Sequence, residues 1–434
     1  MKKQLLLLFL LTVLAFPTHL LASHYMGGEI TWECTLSGNF RFIMKVYREC
    51  AGINYPATTT LQTNAQGVTS ISMTRIAIND ISPVCGCPGG PNITCATTTV
   101  SNTGGVEEHI YTSDQSYPNG VPLTGVPPVS GWYFGYTSCC RNPCTNILNA
   151  SSLSWYLRAY MYPYNNQPVN TCFDNSPKFD EIPSTVICTG YPFTYNHVAS
   201  DVELDSLVYS WAQPLNNNIS APITNFAPGY TWNTPLPGPA QNPNNVAATL
   251  NSQTGEISFT SYTNGAFVTV TKVTAYKCQI KVAEIFREMQ VVLLSCGANN
   301  PPNVTPPFAN SSGQYVNYID TVRAGDFVTF TISATDFEYC PNSTPQTMSL
   351  YATGSQFAAP INSGGCLNPP CANLTPTTTL TNPITGMFGV QTTFSWQTGC
   401  QHLATNVGCG VTSNTYNFLF KTKDNFCPAP GINF

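Results

Sequence analysis

The amino-acid sequence predicts an all-β chain, from the alternation of its apolar residues, its turn-forming residues and its lack of helical periodicity. Phe40, Phe42, Met44 and Val46 occupy every second position, the period of a strand with one buried face. The 35 Pro and 31 Gly residues divide the chain into short runs. The segment closest to helical spacing, residues 279–290, does not hold it for three turns.

Further strands are predicted along the whole chain. Ser37-Gly38-Asn39 predicts a hairpin turn between residues 28–36 and the strand that begins at Phe40. Similar strand signals occur at residues 69–78, 153–160, 207–211, 267–273, 289–294, 328–332 and 416–421. Since 42% of the residues are hydrophobic, the chain can bury a core and is not expected to be disordered.

The charge composition excludes nucleic acid as a main partner. Only 9% of residues are charged, and the 16 Lys and Arg residues are scattered in a chain of net charge −5. A duplex-binding protein requires a dense basic face that displaces counterions from the phosphates. No such face is expected here.

The amino terminus predicts export. Lys2 and Lys3 precede an apolar stretch at residues 5–16, and Ala22 offers a small residue for cleavage. We therefore expect a signal peptide over residues 1–22 and a secreted mature protein, with a retained anchor as the alternative. No later segment approaches the ~20 apolar residues of a membrane span, so none is expected after signal removal.

The 18 cysteines predict a disulfide-rich protein in an oxidising compartment. The alternative, zinc, is disfavoured because Cys85-Gly86-Cys87 and Cys139-Cys140-x3-Cys144 lack paired C-x2-C spacing. The adjacent cysteines Cys139 and Cys140 are not expected to form a disulfide with each other, so Cys50 is predicted to pair with one of them. Two further pairs are predicted, each closing a short loop: Cys87 with Cys95, and Cys366 with Cys371.

An internal repeat predicts the domain organisation. Ala199-Ser200-Asp201-x-Glu203 recurs as Ala334-Thr335-Asp336-x-Glu338, each followed by a strand signal. Two copies of an immunoglobulin-like β-sandwich account for this repeat. The predicted units are a disulfide-rich amino-terminal β domain at 23–176, a sandwich at 177–298 and a second sandwich at 303–434. We expect that second sandwich to be truncated and the chain to be the front of a longer protein, because few residues follow Cys427.

The same repeat supplies candidate calcium ligands. Carboxylates alternate within a loop before a strand, where oxygen ligands could converge on a hard cation. The candidates are Asp201, Glu203, Asp205, Asp336 and Glu338. The alternative is a solvated turn in which the Asp caps backbone N–H groups. No other cofactor is expected.

Signatures of catalysis are missing from the sequence, so the protein is not expected to be an enzyme. Neither G-x-S-x-G nor H-E-x-x-H occurs. His109, next to Glu107 and Glu108, forms an acid–histidine cluster that a surface strand position also explains. The aromatic stretches 132–136 and 155–164 could stack on sugars, but ordinary core packing is the favoured interpretation.

Several motifs together resemble a known family. Three motifs carry the resemblance: Ser23-His24-Tyr25-Met26-Gly27-Gly28-Glu29-Ile30-Thr31, Tyr47-Arg48-Glu49-Cys50 and Cys139-Cys140-Arg141-Asn142. They are similar to the amino-terminal region of large secreted Bacteroidetes proteins. That family is associated with gliding motility, carries PKD or other immunoglobulin-like repeats, and is exported by type IX secretion through a carboxyl-terminal sorting domain. No counterpart of that sorting domain is recognised in this sequence, which fits the expectation that the chain is the front of a longer protein. Glu203 and Leu204 depart from the family's Asp-rich loop, and this departure weakens the calcium hypothesis.

The resemblance implies a non-catalytic protein at the Gram-negative outer surface or outside the cell. We expect an adhesion, surface-attachment or spacer module with PKD- or cadherin-like sandwiches. Its expected partners are polysaccharide or protein ligands at cell surfaces or in the extracellular medium. The alternative is a secreted β-sandwich protein that binds or cleaves glycans, since two distant catalytic carboxylates leave no sequence trace.

Overall fold

The computed structural model describes residues 25–434 apart from 51, 84, 89, 91–93, 96–104, 166, 168–171, 184–185, 298, 363, 367, 380–381, 404–412 and 428. The predicted signal peptide lies outside the described residues. The described chain consists of 26 strands and two short 3-10 turns, Ala150–Ser152 and Cys400–His402, and contains no α-helix. The all-β prediction is therefore confirmed. None of the described residues belongs to a helix long and apolar enough to cross a membrane.

The first unit contains seven strands of one antiparallel sheet, in the order β1-β2-β5-β4-β3-β6-β7. Their bounds are β1 Tyr25–Cys34, β2 Phe40–Glu49, β3 Thr58–Thr63, β4 Ser70–Asp80, β5 Val106–Thr112, β6 Trp132–Ser138 and β7 Trp155–Met161. The predicted alternation is confirmed in β2, where Phe40, Phe42 and Met44 are buried and the residues between them are partly exposed.

The second unit has two principal sheets. Its strands are β8 Lys178–Phe179, β9 Val186–Cys188, β10 Pro192–Asn196, β11 Ala199–Ser200, β12 Ser206–Trp211, β13 Val246–Leu250, β14 Glu256–Thr260, β15 Gly265–Lys277 and β16 Ile280–Leu294. One sheet is β10-β14-β13, and the other contains β12, β15, β16 and β9. Side chains of both sheets, such as Phe193, Phe259, Phe267 and Leu293, share one hydrophobic core.

The third unit has two four-stranded sheets, β17-β20-β24-β22 and β23-β21-β25-β26. Its strands are β17 Asn303–Thr305, β18 Phe308–Ala309, β19 Tyr315–Asn317, β20 Phe327–Thr335, β21 Thr347–Thr353, β22 Asn373–Thr375, β23 Ile384–Met387, β24 Gly389–Gln397, β25 Leu419–Lys423 and β26 Ile432–Asn433. Ile332 and Phe394 of one sheet pack in one core with Leu350 and Phe420 of the other.

Strand β16 joins the first and second units. It pairs with β15 along its length, while its other edge pairs with β7 and then with β1. The sheet of the first unit thereby closes on itself across the predicted boundary between the two units. Gly27 permits this contact, because a Cβ at that position (φ 148°) would lie 2.2 Å from the Glu288 carbonyl oxygen.

The disulfides within the first unit show that the predicted pairing of Cys50 with Cys139 or Cys140 was wrong. Cys50 pairs with Cys95, and Cys139 pairs with Cys140. Cys50 donates its N–H to the carbonyl of Gly105, and this places the end of β2 beside the loop that carries Cys95. The expectation that adjacent cysteines bond elsewhere was wrong, since the Cα atoms of Cys139 and Cys140 lie 3.0 Å apart and their sulfurs meet.

The predicted pairing of Cys87 with Cys95 was also wrong. Cys87 pairs with Cys340 and Cys85 with Cys427, across sequence separations of 253 and 342 residues. The loop after β4 reaches the third unit because the N–H groups of Gly86 and Cys87 donate to the Asn425 carbonyl, at 2.8 and 2.9 Å. The remaining described pairs are Cys34–Cys172, Cys188–Cys296 and the predicted Cys366–Cys371.

Candidate functional site

The acidic loop of the second unit connects β11 to β12 and is organised by Asp201. Its Oδ1 accepts the N–H of Asp205 at 3.0 Å, and its carbonyl accepts the N–H of Leu204, which has a left-handed φ of 61°. The Asp side chain therefore caps a backbone N–H, as the alternative interpretation of this loop expected. The same turn brings Asp201 and Asp205 together, and both residues are buried rather than solvated.

Two charged residues that the sequence analysis missed join this loop. Asp174, only 1% exposed, comes from the segment before β8, and Lys277 ends β15. The Nζ of Lys277 lies 2.5 Å from Asp174 Oδ1 and 3.6 Å from Asp205 Oδ2. The register of β12 on β15 places Ser206 opposite Tyr276, so Lys277 is brought beside Asp205.

Burial raises the pKa of each of these aspartates. It raises the pKa of Asp174 well above its usual range, despite the opposing effect of Lys277. The pKa of Asp201 rises to about 7 through burial and through repulsion from Asp205, whose own pKa is also raised by burial. Burial alone would lower the pKa of Lys277, but the carboxylates of Asp174 and Asp205 raise it above the usual value. Burial therefore favours the protonated, uncharged form of these carboxyl groups beside the Lys277 ammonium.

Glu203 links the acidic loop to the segment that precedes the second unit. Its Oε1 accepts the backbone N–H of Asn175 at 3.2 Å and the side-chain Nδ2 of Asn175 at 2.5 Å. Asn175 Oδ1 in turn accepts the N–H of Cys34 at 2.7 Å. The loop is thus tied to the last residue of β1 in the first unit.

The loop of the third unit repeats this connection. Glu338 accepts the backbone N–H of Asn300 at 2.9 Å and its Nδ2 at 2.5 Å, and Asp336 Oδ1 accepts the N–H of Glu338 at 2.9 Å. Asn175 and Asn300 both lie in the segment that enters a unit. The repeat recognised in the sequence therefore extends to a shared hydrogen-bond pattern.

Near the third-unit loop, the buried carboxylate of Asp424 accepts three hydrogen bonds. Asp424 accepts the N–H groups of Phe426 and Gly431 and the Nδ2 of Asn299, each at 2.9 Å. Burial raises the pKa of Asp424 to about 7 and also raises that of Asp336. Asn299 stands directly before Asn300, as Asp174 stands before Asn175, so an amide replaces a carboxylate at the corresponding position.

The five calcium candidates lie in two separate loops. Asp201, Glu203 and Asp205 share one loop, and Asp336 and Glu338 share the other. Among the described residues, the three metal-ligating atoms that lie within 4.8 Å of one another belong to Cys50, Cys95 and Glu107. Because both sulfurs of that group are in a disulfide, it is not a metal site.

The acid–histidine cluster is buried, not on the surface as the sequence analysis allowed. His109 is 0% exposed; its Nε2 lies 2.9 Å from Glu107 Oε2 and its Nδ1 lies 3.2 Å from Arg75 Nη1. Arg48 also donates to Glu107, at 2.7 Å. Burial lowers the pKa of His109. With both ring nitrogens engaged, this histidine contributes to a structural network.

The aromatic stretches proposed for sugar stacking contribute mainly to the core. Trp132, Phe134 and Trp155 are buried in the core of the first unit, as the favoured interpretation predicted. A cavity of about 90 Å³ lies between the first and second units, where Trp32, Asn175 and Val202 contribute to its lining. This volume is small beside the ~300–1,000 Å³ of ligand pockets.

Comparisons with known proteins give no relative from which a role could be transferred. No protein-family model matches the chain, and neither the curated proteins nor the solved structures compared with it gave a match. The function is therefore inferred from the geometry of the chain itself.

Proposed function

We propose that this chain is a non-catalytic, secreted cell-surface protein that serves as an adhesion, surface-attachment or spacer module. In this proposal it is part of a larger gliding-motility-associated protein at the Gram-negative outer surface. Its second and third units are tandem immunoglobulin-like sandwiches. The proposed ligands are polysaccharides or proteins of cell surfaces or the extracellular medium.

The observation that carries the proposal is the covalent connection between the first and third units. Cys85–Cys427 and Cys87–Cys340 fasten one loop of the first unit to two segments of the third. Disulfides of this kind persist in oxidising, extracellular compartments. They also limit how far the joined units can separate. Such a limit is useful in a surface protein that bears mechanical load or holds its loops at a fixed spacing.

Contacts outside the disulfides support the same rigid assembly. Lys421 of the third unit forms an ion pair with the buried Glu181 of the second. The ring of Phe434 lies edge-on to Tyr195, with centroids 5.5 Å apart. β16 joins the first unit to the second, these contacts join the second to the third, and the disulfides join the first to the third.

The proposal is tested with the protein of residues 23–434, purified without reductant. We expect saturable binding to intact cells or to immobilised surface polysaccharide, with no turnover of a polysaccharide panel. The matched control is the same preparation after reduction and alkylation. It should lose its fold and therefore its binding.

Two results would contradict the proposal. One is failure to bind any cell or polysaccharide surface. The other is hydrolysis of a polysaccharide that a single Asp or Glu substitution removes, which would favour the glycan-cleaving alternative.

A further inference from the structure

An amine and a carboxyl group meet in a buried position beside the acidic loop of the second unit. The Nζ of Lys277 lies 2.5 Å from Asp174 Oδ1, and the two side chains are 13% and 1% exposed. Asp205 Oδ2 lies 3.6 Å from the same Nζ, and the Asp205 carboxyl is in hydrogen-bond contact with that of Asp174. We propose that Lys277 and Asp174 form an intramolecular amide (isopeptide) bond, with Asp205 as the catalytic carboxyl group. This inference does not depend on the proposed function.

The two carboxyl groups are placed to hold the proton that amide formation requires. Asp174 Oδ2 and both oxygens of Asp205 are buried and accept no hydrogen bond from an N–H or hydroxyl group. A proton held between the two carboxyl groups supplies the missing hydrogen bond. Burial raises the pKa of both groups, which favours this bound proton. An amine attacks a protonated carboxyl group, because its hydroxyl can depart as water, whereas a carboxylate has no such leaving group.

The reaction starts from the ion pair and needs no co-reactant. The Lys277 ammonium first gives one proton to the Asp205 carboxylate, and the neutral Nζ then attacks Cγ of the protonated Asp174. A C–N bond forms, and Asp205 passes a proton from this nitrogen to the departing hydroxyl, whose C–O bond breaks. One water molecule leaves, and no atom is oxidised or reduced. The products are a neutral amide and a protonated Asp205.

The surroundings of the pair favour this condensation. Reacting groups held in contact behave as if each were present at about 10⁵–10⁸ M. The reaction also replaces a buried ion pair by uncharged groups, and buried charges are costly because they have lost their contacts with water. The ring of Tyr164 lies beside the pair, with its centroid 6.0 Å from Lys277 Nζ. Burial keeps water from the amide once it has formed.

The amide would extend a covalent connection between the first and second units. Cys172, two residues before Asp174, is joined by a disulfide to Cys34 at the end of β1. Lys277 is the last residue of β15 in the second unit. With Asp174 bonded to Lys277, β1 is linked to β15 through this short segment. The boundary between these two units is then cross-linked, as the long-range disulfides cross-link the first unit to the third.

The test is the intact mass of the protein of residues 23–434 after reduction and alkylation, followed by peptide mapping. We expect a mass one water molecule below the sequence value and a branched peptide that joins Lys277 to Asp174. Lys277→Arg, whose guanidinium stays protonated, and Asp205→Asn should each restore the full mass. The matched control is Lys421→Arg, which alters the buried ion pair with Glu181 and should keep the loss of water.

The parent protein decides the inference without any variant, so a variant that fails to fold does not obscure the result. A parent of full calculated mass overturns the proposal. A loss of water that persists in Lys277→Arg also overturns it, because the loss then arises elsewhere in the chain. A branched peptide that still forms in Asp205→Asn would contradict the role given to Asp205.

Discussion

The charged residues of this protein are few, and many of them are buried in pairs. Arg141 and Glu288 are 1% and 3% exposed and form a two-pronged ion pair. Arg287 of β16 pairs with Glu29 of β1 through its Nε, and both residues are buried. Burying such charges is unfavourable unless each is compensated, so the cost of losing one partner is much larger than at the surface. These pairs lie where the first and second units meet.

Substitution of one partner tests the importance of this junction. Glu288→Gln should lower the stability by about 3–5 kcal/mol, because it leaves the Arg141 charge buried and uncompensated. The matched control is Glu33→Gln, which removes an exposed partner of Arg41 and should change stability by less than about 1 kcal/mol. Denaturant unfolding of both variants measures the difference. Equal effects would mean that the buried pair contributes no more than a surface one.

The acidic loop shows which part of a candidate site is visible in a sequence. Asp201, Glu203 and Asp205 alternate within a few residues, and their recurrence in a second copy identifies them. Asp174 and Lys277 cannot be found this way. They come from separate segments, and the pairing of β12 with β15 brings Lys277 to the loop. Whether an acidic side chain is solvated or buried also depends on the packing of the units.

The raised pKa of Asp201 predicts how the stability of the protein depends on pH. Its pKa is about 7 in the folded protein and about 4 in an unfolded chain, so the folded state binds this proton more tightly. The contribution of Asp201 to the free energy of unfolding should therefore fall as the pH rises from about 4 to 8. Denaturant unfolding of the parent protein and of Asp201→Asn at pH 5 and pH 8 measures this contribution. A difference between the two proteins that does not change with pH would contradict a buried, protonated Asp201.

At the scale of the whole molecule, local patterns predicted the strands but not how the units are joined. The alternation of apolar residues with other residues identified β2. The all-β class followed from this alternation and from the turn-forming residues. Residues 279–290 come nearest to helical spacing in the sequence, but from Ile280 onward they belong to the long strand β16. Its pairing with β1 depends on Gly27, a close backbone contact that no local pattern reveals. The disulfides of Cys85 and Cys87 were likewise beyond prediction, because their partners are 342 and 253 residues away.

The long-range disulfides join the first unit covalently to the third, and the proposed rigid assembly depends on them most. Peptide mass mapping of the unreduced, secreted protein tests them directly, with thiols blocked before digestion. We expect cross-linked peptides that join Cys85 to Cys427 and Cys87 to Cys340, together with the short Cys366–Cys371 link as an internal control. Recovery of Cys87 joined to Cys95, or of Cys340 and Cys427 as blocked free thiols, would contradict the account.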